Sequence, residues 1–275
     1  MKIVIITGSQ LRHKAFAQRL KMSNSILIKK IFYENGDPLL NTVSLKENNQ
    51  LLIDHLNGRR QAEKDYFEWF LDFSKKKKKE IEEEYVQRNH FSKTEFLKEI
   101  LKLEIDLVVV YGTSIIKGEV INIFRNKILN LHLGLSPYYR GAGTNYFPFV
   151  NNEPEYCGAT FMYINEGIDT GEIIHQIRPE IISTDSFHQL SNRFLIKTFN
   201  TYLNLIENFK DLKEINKFDD KQPSILKIYK RKDFTNNSLE KLYKNFEDGI
   251  LKNYLINKLE KDKSVPIINN PSLLG

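Results

Sequence analysis

IDLVVVYGTSIIKGEVINIFRNKILNLHLG, from Ile105 to Gly134, reads as a strand, a turn, a short helical piece and a second strand. From Leu107 to Tyr111 apolar residues follow one another without polar alternation, the pattern of a strand buried on both faces. Gly112-Thr113-Ser114 ends it. A helical piece follows over Glu119 to Phe124, and Ile128 to Leu131 makes the next strand. Strands joined through helices run parallel, so the stretch predicts an α/β fold: a mostly parallel twisted sheet with helices on both faces.

The same alternation extends outward. Met1 to Thr7 reads as a strand ended by Gly8, and Leu11, Ala15, Phe16 and Leu20 recur at helical spacing behind it. Ile26 to Tyr33 is a further strand, closed by the turn signal Asn35-Gly36-Asp37-Pro38. Gln61 to about Gln87 reads as a long charged helix with Tyr66, Phe67, Phe70 and Leu71 on one side. Ser92-Lys93-Thr94-Glu95 has the form of a capping box and predicts a helix start. Cys157 to Ile164 and Glu172 to Arg178 are two more strands, and a long helix spans about Ser186 to Phe209. A main domain over 1–210 is expected, followed by a small extension over 211–275. That extension holds a polar link near Lys217 to Pro223, an extended segment around Leu226 to Tyr229, a helix over Ser238 to Lys258, and a weakly structured tail with Pro266 and Pro271.

A chain of 275 residues with 41% apolar and 28% charged residues has the composition of a globular protein. No apolar run approaches the roughly 18 residues that span a bilayer, and MKIVIITGSQ reads as a strand entering a turn, not a signal peptide. A cytoplasmic protein with no membrane segment is expected. The single cysteine, Cys157, excludes a disulfide framework and a multi-thiolate metal site and reads as a small buried residue. The net charge of +6 suits an anionic substrate or a nucleic acid, or reflects a general excess of lysine. Its densest run, Lys75 to Lys79, is followed at once by Glu80, Glu82, Glu83 and Glu84 and lacks interleaved aromatic residues, as a solvated helix face would.

Polar residues with chemical potential collect just after the opening stretch, in NLHLGLSPYYRGAGT, Asn130 to Thr144. In open parallel sheets, ligands sit outside the carboxyl ends of the strands. Asn130 and His132 lie two apart at such an end, so on an extended backbone both side chains point the same way. Asparagine offers a donor for a carbonyl oxygen gaining charge, and histidine an acid or base near neutral pH. Asp169, between Gly167 and Gly171, is the candidate carboxylate to hold an imidazolium. Taken singly, each has a plain alternative: a hydrogen-bonding histidine, a turn aspartate, and turn glycines at Gly141 and Gly143.

The combination is more specific. N-x-H, followed by a Pro-aromatic-Arg-Gly run and then, 37 residues beyond the histidine, by Asp-Thr-Gly, resembles the formyltransferase family that uses 10-formyltetrahydrofolate. The resemblance covers Leu107 to Ile177 closely, through CGATFMYINEGIDTGEII, and departs where Leu133 follows His132 in place of the proline or glycine of many relatives. It implies that Asn130, His132 and Asp169 are catalytic and that no metal is required. It also implies that the folate lies against Val110, Tyr111, Gly112, Thr113 and Ile115, and against Asn165, Glu166 and Gly167. Arg140 and Gly141 complete that cofactor site, and Tyr139 faces the amine.

Family members differ in the amine. The tail lacks the strand pattern of the β-barrel carried by the methionyl-tRNA enzymes, which argues against a nucleic-acid partner. Gly8, Ser9, Arg12 and Lys14, at a strand-to-helix turn, suit a phosphate, although basic residues at a helix start also occur without a ligand. The size resembles that of the sugar N-formyltransferases, and a nucleotide-linked amino sugar is the expected small-molecule substrate. Another amine and a folate hydrolase are the alternatives. The stripe Leu242, Tyr243, Phe246, Ile250 and Leu251 could cover the main domain or a second subunit, which leaves a homodimer open.

Overall fold

The computed structural model describes residues 1–36, 49–74, 80–212 and 227–273. Seven strands form one sheet in the order β3-β2-β1-β4-β5-β7-β8: β1 Lys2–Gly8, β2 Leu27–Glu34, β3 Glu83–Val86, β4 Leu107–Tyr111, β5 Ile128–His132, β7 Ala159–Tyr163 and β8 Ile173–Ile177. In that order the first five are mutually parallel, β7 pairs antiparallel to β5, and β8 pairs antiparallel to β7. Two further three-residue strands, β6 Tyr139–Gly141 and β9 Lys227–Tyr229, pair with each other in parallel.

The period-two alternation of the buried strands assigns each residue to a layer. Ile3, Ile5, Leu107, Val109, Leu129 and Leu131 face a core built with α1 (Leu11–Lys21), α2 (Gln50–Ser74) and α6 (Phe187–Glu207). Val4, Ile6, Val108, Val110 and Ile128 face the other layer, which α3 (Thr94–Lys102) and α4 (Glu119–Ile123) cover. Tyr202 of α6, fully buried, pins the first layer to the sheet: its hydroxyl donates to the Leu129 carbonyl and accepts from the Val110 N–H at 3.3 Å.

A third apolar cluster gathers α5 (Phe147–Val150) with α7 (Asn236–Glu247) and α8 (Ile250–Ile256), through Phe149, Leu239, Leu242, Ile250 and Tyr254. The C-terminal stripe therefore packs on the main body of its own chain. Among the described residues no helix is long and apolar enough to cross a membrane.

Four local expectations require correction. The long helix runs over Gln50–Ser74, not Gln61 to Gln87, and Glu83–Val86 is an edge strand. Its acidic neighbours answer basic side chains: Lys30, buried, meets Glu84 at 2.7 Å and Glu99 at 2.6 Å. Lys75 to Lys79 lie outside the described residues, as do Asp37, Pro38 and the link from Lys217 to Pro223. Second, the Ser92 hydroxyl does not cap α3, whose N-cap is Lys93; it accepts the Lys117 N–H at 2.9 Å. Third, the C-terminal helix breaks at Gly249, at φ +80°, and again at Asn257, giving α7, α8 and α9 (Lys258–Ser264). Lastly, the tail is not loose: Gln176 N–H donates to the Ile268 carbonyl at 2.7 Å, and Asn270, fully buried, donates its N–H to His175 Nδ1 at 3.0 Å.

Candidate active site

Alternation along β5 sets the site. Leu129 and Leu131 face the α1/α6 core, so Asn130 and His132 must face the opposite side. His132 is buried at the carboxyl end of the strand, opposite Thr160 of β7, while Asn130 lies between Val110 and Met162. The Asn130 amide makes no hydrogen bond among the described residues, which leaves its N–H groups available to a ligand.

Because β7 runs antiparallel to β5, its end at Tyr163 pairs with Leu129. The following loop must double back along the face of β5 to reach the histidine. Asn165 ties that loop together, its Oδ1 accepting from Gly167 N–H at 3.0 Å and from Thr170 Oγ1 at 2.7 Å. Gly171 lets it lie flat, since a Cβ there would fall 1.7 Å from the Tyr163 carbonyl oxygen. Asp169, at φ +50°, then places Oδ1 3.4 Å from His132 Nδ1. Its Oδ2 accepts the Gly141 N–H at 2.8 Å. The other imidazole nitrogen, Nε2, is 3.1 Å from the Tyr139 carbonyl oxygen.

Both ring nitrogens thus face acceptors, a carbonyl on one side and a carboxylate on the other. The arrangement orients the ring and lets it act as a donor. The carboxylate contact is longer than the roughly 2.7–2.9 Å of a charge-assisted hydrogen bond, so both groups retain capacity for a third, reacting atom.

The remaining predicted residues fall into two groups. Tyr111 ends β4 beside β5, and Gly112 turns out of it at φ +68°. Thr113 follows, with its hydroxyl on the Ser114 carbonyl at 3.0 Å, and then Ile115, exposed. Glu166 and Gly167 are exposed in the loop before Asp169. Arg140 lies between Tyr139 and Gly141, the two residues whose backbone meets the histidine and the aspartate; its Nε is a buried donor without a partner among the described residues. Burial lowers the Arg140 pKa, and the Asp169 carboxylate offsets that only in part.

Tyr139 itself does not present its ring. The side chain is fully buried, stacked on Tyr229 at 5.7 Å, and its hydroxyl is bound by Glu153 and by Asn151 at 2.8 Å. Its contribution to the site is a carbonyl.

At the first loop, Gly8 ends β1 and the Ser9 hydroxyl accepts the Gly36 N–H at 3.2 Å. Arg12 and Lys14 do not converge: Lys14 lies 5.8 Å over the ring of Tyr85, whereas Arg12 Nε donates to Glu63 at 2.9 Å. The partner of Arg12 in charge is Arg59 of α2, whose Nε reaches the same carboxylate at 3.1 Å and whose Nη2 donates to Gln10 Oε1 at 3.1 Å. Two guanidinium groups share one carboxylate, and this mutual repulsion is the largest cause of an Arg59 pKa pushed down to about 10.

Sequence reasoning missed Arg59 and Glu63, which lie roughly fifty positions from Arg12 and carry no local motif. It also missed Glu34. This buried carboxylate at the end of β2 accepts the Ser114 N–H at 2.6 Å and the Asn89 N–H at 2.8 Å, fixing the loop after β4.

Comparison with known proteins bears on this geometry. The methionyl-tRNA formyltransferase of Fusobacterium nucleatum is 31% identical over 150 residues, covering 54% of this chain and 48% of that one. That of Thermodesulfovibrio yellowstonii is 36% identical over 103 residues, covering 37% and 33%. The chain spans about half or less of the length of these curated relatives. A sugar N-formyltransferase from Shewanella sp. FDAARGOS_354 shares the fold with a TM-score of 0.56 at 17% identity, over 89% of this chain and 87% of that one. A phosphoribosylglycinamide formyltransferase from Anaplasma phagocytophilum does so with a TM-score of 0.54 at 18% identity, over 84% and 98%. The family model described as formyl transferase matches residues 54–206, more than half of the sequence and the whole of the segment that builds the histidine, its carboxylate and the loop between them. The chain belongs to the formyl transferase family.

Proposed function

We propose that the protein transfers a formyl group from 10-formyltetrahydrofolate to the primary amine of a small phosphorylated substrate, a nucleotide-linked amino sugar of the kind built into surface polysaccharide. The observation that carries the reading is His132, held between the Tyr139 carbonyl and the Asp169 carboxylate on the same strand face as Asn130. In such a transfer the amine nitrogen bonds to the formyl carbon, the bond from that carbon to the folate nitrogen breaks, and a proton moves from the amine to the released folate. Asn130 and a protonated His132 stabilise the oxygen that gains charge, and Asp169 sustains the imidazolium and assists removal of the amine proton.

The folate would rest on Val110 to Ile115, Arg140 and Gly141, and Asn165 to Gly167. The orphaned Arg140 Nε and the free Asn130 amide fit an acceptor-rich ligand there. Gly8, Ser9 and the Arg12–Arg59 pair would meet the phosphates, which agrees with the net charge of +6. We assign the reaction to the cytoplasm and allow for a homodimer. The identity shared with methionyl-tRNA formyltransferases favours, as the second reading, a different amine on the same catalytic centre.

The test is a panel of acceptors with 10-formyltetrahydrofolate: nucleotide-linked amino sugars, glycinamide ribonucleotide, methionyl-tRNA, and water alone. Rapid folate release with an amino sugar is expected. Release with water alone would make the protein a hydrolase, and release with another amine would reassign the acceptor.

A further inference from the structure

The tripeptide β6 holds both partners of the catalytic pair. Its first residue, Tyr139, offers the carbonyl that meets His132 Nε2 at 3.1 Å, and its last, Gly141, offers the N–H that meets Asp169 Oδ2 at 2.8 Å. A displacement of this one segment moves the imidazole and the carboxylate together.

Three residues cannot fix themselves, since an isolated pair of short strands is marginal in water. What fixes them comes from the other end of the chain. β9 lies parallel to β6 with Tyr139 opposite Lys227 and Gly141 opposite Tyr229. Lys227 N–H donates to the Tyr138 carbonyl and Ala142 N–H to the Tyr229 carbonyl, each at 2.9 Å. Gly141 permits that approach, for a Cβ there would sit 2.1 Å from the Tyr229 carbonyl oxygen.

Side chains reinforce the pairing. Lys227 Nζ donates to Glu153 at 2.7 Å, and the same carboxylate takes the Tyr139 hydroxyl. Asn151 donates from one amide to both the Tyr139 and Tyr229 hydroxyls, at 2.8 Å each. Phe147 stacks on Tyr229 at 3.8 Å between ring centroids.

We propose that this C-terminal brace, with Lys227, Glu153 and Asn151 as positioning residues, sets the catalytic geometry by holding the Tyr139 carbonyl and Gly141 N–H against His132 and Asp169. The proposal rests on the formyltransferase reading for its kinetic consequence, though not for its structural one. Sites of this kind work only while a supporting layer holds them to about half an ångström, and a displacement of about 1 Å costs about a hundredfold in rate.

The experiment replaces Lys227 by Met and by Arg in the full chain, with the ring ¹⁵N resonances of His132 recorded beside the kinetics. Lys227→Met is expected to lower kcat about tenfold or more. It should also shift the His132 resonances, and Lys227→Arg should restore both. Should Lys227→Met fail to fold, Tyr229→Phe, which removes one hydroxyl from the Asn151 bridge, carries the same readouts. His132 resonances that do not move, or an unchanged kcat in an enzyme that turns over, overturn the brace. If the wild type formylates no amine, the functional reading falls and the resonances still decide the structural one.

Discussion

Gly134 lies directly against His132: a Cβ on Gly134 would fall 2.6 Å from His132 Nε2 and 2.6 Å from the Thr144 Cβ. The imidazole occupies the space that any larger residue would need. Thr144 is locked in turn, its hydroxyl donating to the Leu133 carbonyl, so neither neighbour is free to retreat. Gly134→Ala is therefore expected to displace the ring from the Tyr139 carbonyl and to reduce formyl transfer by about tenfold to a hundredfold. Steady-state rates beside far-ultraviolet circular dichroism check this. A folded Gly134→Ala with the wild-type rate would show that the ring can sit elsewhere and still work.

On the proposed reading, His132→Ala and Asn130→Ala remove donors from the position where the carbonyl oxygen gains charge. Each should lower the single-turnover rate by about 100- to 1,000-fold while binding of the folate persists. Asp169→Asn keeps the size and loses the charge that faces His132 Nδ1, and its one remaining oxygen cannot both accept the Gly141 N–H and face the ring. A rate loss comparable to that of His132→Ala is expected. If Asp169→Asn were as fast as the wild type, the 3.4 Å contact would be incidental.

What was legible in the sequence depended on whether a residue's role was local. The run from Leu107 to Tyr111 is apolar because both of its faces are covered, and that burial writes itself into composition. Asn130 and His132 were readable because a strand fixes the direction of residues two apart. Asp169 stood out as a carboxylate between two glycines, but its pairing with them, 37 residues beyond the histidine, was made specific by the resemblance. The strand Glu83–Val86 was hidden, because it lies at the sheet edge and its neighbours are acidic in answer to Lys30 and Lys21, charges more than fifty positions away. The Ser92 hydroxyl, by sequence a helix cap, was diverted to Lys117 by the packing of the next loop. At Gly249 the break was written in the sequence as a glycine that takes a left-handed conformation, and a continuous amphipathic pattern masked it.

Glu63 is, among the described residues, the one carboxylate that both Arg12 and Arg59 meet, with all three side chains largely shielded. Removing one partner of a shielded ion pair leaves a charge without compensation, here two guanidinium groups facing each other. Glu63→Gln should lower the unfolding free energy by about 3 kcal/mol, measured by urea denaturation. Adding Arg59→Met to that variant should recover part of the loss. A Glu63→Gln protein as stable as the wild type would mean that solvent already screens the cluster.

Four other histidines are held neutral by burial: His13 and His55 with values pushed down to about 3, and His175 and His188 to about 4. Two of them accept backbone N–H groups on Nδ1, His13 from Gln10 at 3.3 Å and His175 from Asn270 at 3.0 Å, and a proton there would abolish the acceptor. In the unfolded chain the same rings titrate near 6.5. Below that pH the unfolded state binds protons that the folded state refuses, so stability is complete above pH 6.5 and is lost as the pH falls toward 4 and then 3. For each ring still neutral in the fold, the slope approaches about 1.4 kcal/mol per pH unit. The urea midpoint should therefore drop between pH 7 and pH 5, before most carboxylates titrate. His175→Gln should flatten the dependence, since the variant loses a ring whose protonation releases the tail at Asn270. A midpoint constant from pH 7 to pH 5 would show that these imidazoles can be protonated inside the fold.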